Sequence, residues 1–196
     1  MSQTMTKLAG RDLAGLRAVV ALPAAAAAEV KDCRLATDAL ALLEAKGFLV
    51  EATRVLAHAL PKREAVWWAC MCAAHTAPAD LPEPDRLARD AAEQWVRQPN
   101  DKNRRAAAQQ ADATTFETPD ALCAYAVFWT GDTIGPEDQP PVPPTPHMTG
   151  RMVAAAVYLA AVRPDVQREV ARLKRFLESG RSIAAGGSGR LPAEEA

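Results

Sequence analysis

The chain has 196 residues, a formal net charge of -1, and an apolar share of 49% of which little is aromatic. That charge balance lacks the basic footprint of a nucleic-acid-binding protein, and no apolar run approaches the roughly 20 residues that a membrane span needs. Alanine supplies much of the apolar content and strand-favouring runs of Val, Ile, Thr and Tyr are nearly absent, so the composition predicts an all-α chain, long enough for one domain with a sizeable core.

In chain order, residues 1–20 read as a flexible N-terminal segment, 21–179 as a single helical domain, and 180–196 as a disordered tail. The run AVVALPAAAAAEV (Ala18 to Val30) follows Lys7, Arg11 and Arg17 in the manner of a signal peptide. Asp12 interrupts that basic region, however, and Pro23 is better placed to start a helix. About nine helices are expected. The first runs from Pro23 to Cys33. The second, TDALALLEAK, stops at Gly47, a natural C-cap, and the third is FLVEATRVLAHAL. The fourth is LPKREAVWWACMCAAHT, with Pro61 at its first position. PDRLARDAAEQWVRQ makes the fifth. Asn100 caps the sixth, DKNRRAAAQQADA, which is polar enough to lie at the periphery. Thr118, Pro119 and Asp120 give the seventh, TPDALCAYAVFWT, the clearest start in the chain. The segment from Gly131 to His147 holds too many prolines for a helix, with 136–147 the densest part. It reads as an extended strap joining two distant helices, or as a docking segment for a partner's aromatic groove. Thr149 is expected to cap the eighth helix, GRMVAAAVYLAAV. The ninth, PDVQREVARLKRFLES, carries an apolar stripe of Val166, Val170, Leu173 and Leu177 and, on roughly the other side, a basic stripe of Arg168, Arg172 and Arg175.

The fourth helix raises the sharpest chemical question. At about 100° per residue, apolar side chains lie nearly all the way round it, the mark of a central helix. Trp67, Trp68, Cys70 and Met71 are therefore expected in the core, with Trp95, Phe128 and Trp129. Cys70 and Cys72 diverge by about 200° on a helix and cannot chelate one ion together. Cys72 and His75 share a face, but a structural zinc site wants four ligands. Cys-Met-Cys within a helix is also not the dithiol of a redox motif. No metal or cofactor is expected, and the four cysteines read as reduced thiols of a cytoplasmic protein. Lys62 and Arg63 stand where the helix dipole is positive, which disfavours them. They call for an acidic neighbour on another helix, or for an anion or partner carboxylate docked at the helix start.

Serine is confined to Ser2, Ser179, Ser182 and Ser188, at the two ends of the chain. This excludes a serine hydrolase with its nucleophile in the core. No phosphate-loop motif precedes a helix, and the three histidines leave little acid–base capacity near neutral pH.

The blocks AHALPKREAVWWACMCA, AAEQWVRQPNDKNRRAA, TPDALCAYAVFWTGDTIGP and VPPTPHMTGRMVAAAVYLAA resemble, in that order, an uncharacterised bacterial family of all-helical proteins. The likeness runs from about Pro23 to Ala161, and LPKREAVWWAC is its most specific part. Ala36 departs from it, where a serine-like cap would be usual. Members of that family are often found alongside type VI secretion components. The resemblance implies a non-enzymatic, cytoplasmic accessory protein, an adaptor or chaperone-like partner of a secretion-system component or effector. Lys62, Arg63, Arg168, Arg172 and Arg175 are the candidate contacts. Alternatives are a metalloprotein or enzyme centred on Glu64, Cys72 and His75, and an immunity-type toxin inhibitor.

Overall fold

Local chemistry sets most of the helix boundaries in the computed structural model, which describes residues 4–195. The α-helices are α1 (Ala14–Val20), α2 (Ala24–Glu29), α3 (Ala36–Ala45), α4 (Leu49–Ala59), α5 (Lys62–His75), α6 (Glu83–Arg97), α7 (Asp101–Asp112), α8 (Pro119–Phe128), α9 (Met148–Val162) and α10 (Glu169–Ala184). The chain is all-α: among the described residues there is no strand, only a single antiparallel bridge between Asp12 and Leu35. Thr118 caps α8 by accepting from the Ala121 N–H at 3.2 Å, and Asn100 caps α7 by accepting from the Asn103 N–H at 2.8 Å. Gly47, at φ +80°, ends the α3 turn in a conformation that L side chains rarely adopt.

The start of α9 differs from expectation. The helix begins one residue before Thr149, and His147, at φ 66°, precedes it without offering a side-chain cap. Thr149 is buried inside the first turn.

The helix α5 lies at the centre, against α6, α8, α9 and α10. Trp68, Ala69, Cys70, Cys72 and Ala73 are fully enclosed on it, and the Trp68 indole N–H donates to the Phe176 carbonyl of α10 at 2.8 Å. That bond satisfies the one polar atom of a large buried ring. Gly180 lets α10 come this close: a Cβ there would stand 2.5 Å from Leu56 of α4 and 3.0 Å from Trp68. Asp120, wholly buried on α8, meets Arg89 of α6 at 2.7 Å and Arg163, just past α9, at 2.6 Å. Arg163 also donates to the Ala73 carbonyl of α5 at 2.6 Å, so one carboxylate ties four helices.

Both ends depart from the expected flexibility. A short 3-10 turn at Thr6–Leu8 and α1 bury Leu8, Leu13, Leu16 and Val20; only residues 1–3 of the expected N-terminal segment lie outside the described residues. At the other end α10 continues to Ala184, and the following residues turn back along α5; Ala196 lies outside the described residues. There the Ser188 carbonyl accepts from Trp67 at 2.7 Å, and the Glu194 N–H donates to the His75 carbonyl at 2.7 Å. Glycines and a proline let the segment turn, and it is the packing surface of α5, invisible in the tail's own composition, that holds it. The expected strap departs too. It joins α8 and α9, which pack directly on one another, and folds back on itself through an Ile134-to-Val142 backbone bond of 2.8 Å. No helix among the described residues is long and apolar enough to cross a membrane.

Candidate functional site

The cations singled out at the start of α5 are not paired with an acidic side chain among the described residues. Lys62 donates to the Thr130 carbonyl at 3.0 Å and Arg63 to the Val96 carbonyl at 2.6 Å. Val96 lies in the last turn of α6 and Thr130 just beyond α8, so both cations meet the negative ends of neighbouring helices. Glu64 pairs with Lys7 at 2.9 Å.

The basic stripe of the last helix is broken at its middle member. Arg172 is buried; it grips the Glu194 carboxylate at 2.5 Å and donates to the Ala161 and Arg163 carbonyls. Its role is to hold the C-terminal segment, which pattern reading missed because Glu194 lies 22 residues away in what looked like tail. Arg168 is exposed and lies 3.4 Å from Glu194, while Arg175 is exposed beside the His75 ring. Of the expected apolar stripe, Leu173 and Leu177 are buried but Val166 and Val170 are exposed.

Glu64, Cys72 and His75 are not brought together. Cys72 is enclosed, and burial pushes its thiol well up. The Cys70 thiol is pushed up by its hydrogen bond with Cys123 and by burial. His75 bonds through Nδ1 to the Pro192 carbonyl and meets the Phe176 ring edge-on. Among the described residues no three His, Cys, Asp or Glu side chains are placed to hold a metal. Trp95 and Met71 are buried; Trp67, Phe128 and Trp129 are half-buried, the last two in an aromatic cluster with Tyr125.

Two adjoining clefts meet at His58. The larger, about 620 Å³, lies between α1, α4 and α9. Val19, Val50, Ala154 and Tyr158 line it together with Arg54 and Arg151, and no carboxylate does. The smaller, about 290 Å³, lies under the end of the proline-rich loop and at the start of α9. Arg11 and Lys62 line it with Trp129, His147 and Thr149, again without a carboxylate. Four buried polar atoms around these clefts have no hydrogen-bond partner among the described residues: Thr53 Oγ1, His58 Nε2, Trp129 Nε1 and Thr149 Oγ1. Buried polar atoms in folded proteins are normally paired, so their concentration here makes these clefts the candidate binding site.

Burial pushes the His58 pKa down, and its Nδ1 faces the Arg54 carbonyl at 2.9 Å. A neutral ring that donates from Nδ1 leaves Nε2 as an acceptor. Gly150 permits this placement: a Cβ there would stand 2.7 Å from His58 Cδ2 and 3.0 Å from Nε2. Of the candidate contacts only Lys62 lines either cleft. The other members come from distant stretches that no local pattern links.

The model of a family of unknown function, DUF6931, matches residues 39–184. That span takes in α4, α5, α8, α9 and the proline-rich loop, leaving α1 and Arg11 outside. No curated protein and no solved structure matches the chain.

Proposed function

We propose that this chain, which belongs to the DUF6931 family of unknown function, is a non-enzymatic binding module of adaptor or chaperone-like type that docks an acidic segment of a partner protein. The observation that carries this reading is the groove between α1, α4 and α9. Arg54 and Arg151 line it, no carboxylate lines it with them, and neither forms an ion pair among the described residues. Apolar walls with two uncompensated cations suit a segment that carries both apolar and acidic side chains. The enclosed, up-shifted thiols of Cys70 and Cys72 and the serine-poor interior support a binding role over a catalytic one.

The resemblance noted in the sequence supplies the proposed setting, a cytoplasmic accessory to a type VI secretion apparatus whose partner is one of its components or effectors. Native pull-down of the tagged chain from its own bacterium, read by mass spectrometry, tests both parts. The expected result is a secretion component or effector that is lost from the R54E/R151E variant while the variant stays folded. A partner retained by that variant removes the groove from the reading, and a partner unrelated to secretion removes the setting.

A further inference from the structure

The smaller cleft differs in chemistry from the groove beside it. We infer that it binds a hydrogen-phosphate group, seated on the N-terminus of α9 beneath the proline-rich loop. The helix has 15 residues, no acidic side chain in its first turn and no side-chain cap from His147. The N–H groups of Thr149 and Gly150 point out of that first turn without a backbone partner. Such a terminus attracts oxyanions through its free N–H groups and the positive end of its dipole.

The side chains lining the cleft point the same way independently. Thr149 is only 4% exposed, yet its hydroxyl is unpartnered, as is the enclosed Trp129 indole N–H. Arg11 and Lys62, both exposed, add two positive charges at the rim. The volume, about 290 Å³, lies at the small end of the roughly 300–1,000 Å³ range of ligand pockets, and has room for a small anion or for such a group on a larger molecule.

His58 decides which oxyanion. Its Nδ1 donates to the Arg54 carbonyl, and burial favours the neutral ring, in which Nε2 offers a lone pair and no proton. A phosphate group that keeps its P–OH donates to that lone pair while its other oxygens accept from Thr149, Trp129 and the helix N–H groups. Sulfate has no proton to give near neutral pH and leaves Nε2 unpaired. Gly150 matters because any side chain there would push the His58 ring away from the helix start.

The test is isothermal titration of the full chain, at matched ionic strength, with inorganic phosphate, methyl phosphate and sulfate. It is run near pH 6, where a good part of the monoester keeps its proton. Saturable one-to-one binding of inorganic phosphate is expected, with sulfate about tenfold weaker or more, the scale set by one buried unpaired polar atom. Binding of inorganic phosphate alone supports a site for the free anion. Binding of methyl phosphate as well supports one that takes the group on a larger molecule. The R11Q/K62Q variant changes only exposed side chains and should bind at least tenfold more weakly while keeping the parent's helical circular-dichroism spectrum and a cooperative melt. The inference is overturned if neither phosphate saturates, if sulfate binds equally, or if R11Q/K62Q keeps full affinity. The R54Q variant leaves the start of α9 and the Arg54 carbonyl unchanged; it is expected to retain phosphate binding and to bind the partner more weakly, so this site and the proposed partner groove stand or fall separately.

Discussion

Gly150 is held to glycine by its neighbour rather than by its backbone, since the obstacle is the His58 ring. Gly150→Ala is expected to lower stability by about 1–3 kcal/mol through overpacking. It is read as a fall in the thermal midpoint, and the G150A/H58A double variant should lose less than the sum of the two single changes because the colliding ring is gone. Asp120 is the second residue on which much depends. Removing its carboxylate in Asp120→Ala leaves Arg89 and Arg163 without their counter-charge in a largely enclosed place. The expected loss is about 3–5 kcal/mol, the range for a broken buried ion pair, and denaturant unfolding measures it.

At the level of elements, α10 and the segment beyond it behave as one clasp across α5. Arg172 links them: its guanidinium, assisted by Arg168, holds the Glu194 carboxyl below the usual carboxylate range against the opposing effect of burial. A group with a lowered folded pKa binds fewer protons folded than unfolded at intermediate pH. Its stabilisation is therefore complete above the ordinary value of 4.5 and is lost as pH falls through the lower folded value. Glu194→Gln should destabilise the protein at neutral pH, and the gap to the parent should close in acid; melting curves across that range decide it. Cutting the chain after Ala184 removes the Ser188, Pro192 and Glu194 partners of Trp67, His75 and Arg172 together. That truncation should lower the thermal midpoint more than Glu194→Gln does.

Across the whole molecule, the all-α architecture and most helix positions were legible in the sequence. Helical periodicity, the Thr118 and Asn100 caps and the Gly47 stop act over a few residues, so the sequence displays them directly. The central place of α5 was legible for the same reason, since a helix apolar on every side has nowhere else to go. What local pattern could not show was which surfaces meet. Arg172 looked like one member of a solvated stripe until a carboxylate 22 residues on folded over it. The two ends looked mobile because their own composition says nothing of the surfaces that receive them. The clefts at His58 draw on Arg11, Lys62, Trp129 and Thr149, which only the packing of α4 and α5 against α8, α9 and the proline-rich loop brings together. The sequence by itself thus determined the helices, whose hydrogen bonds close over four residues. Tertiary structure decided the site, because its charges and unpaired polar atoms acquire a common place only when distant helices bury their apolar faces against one another.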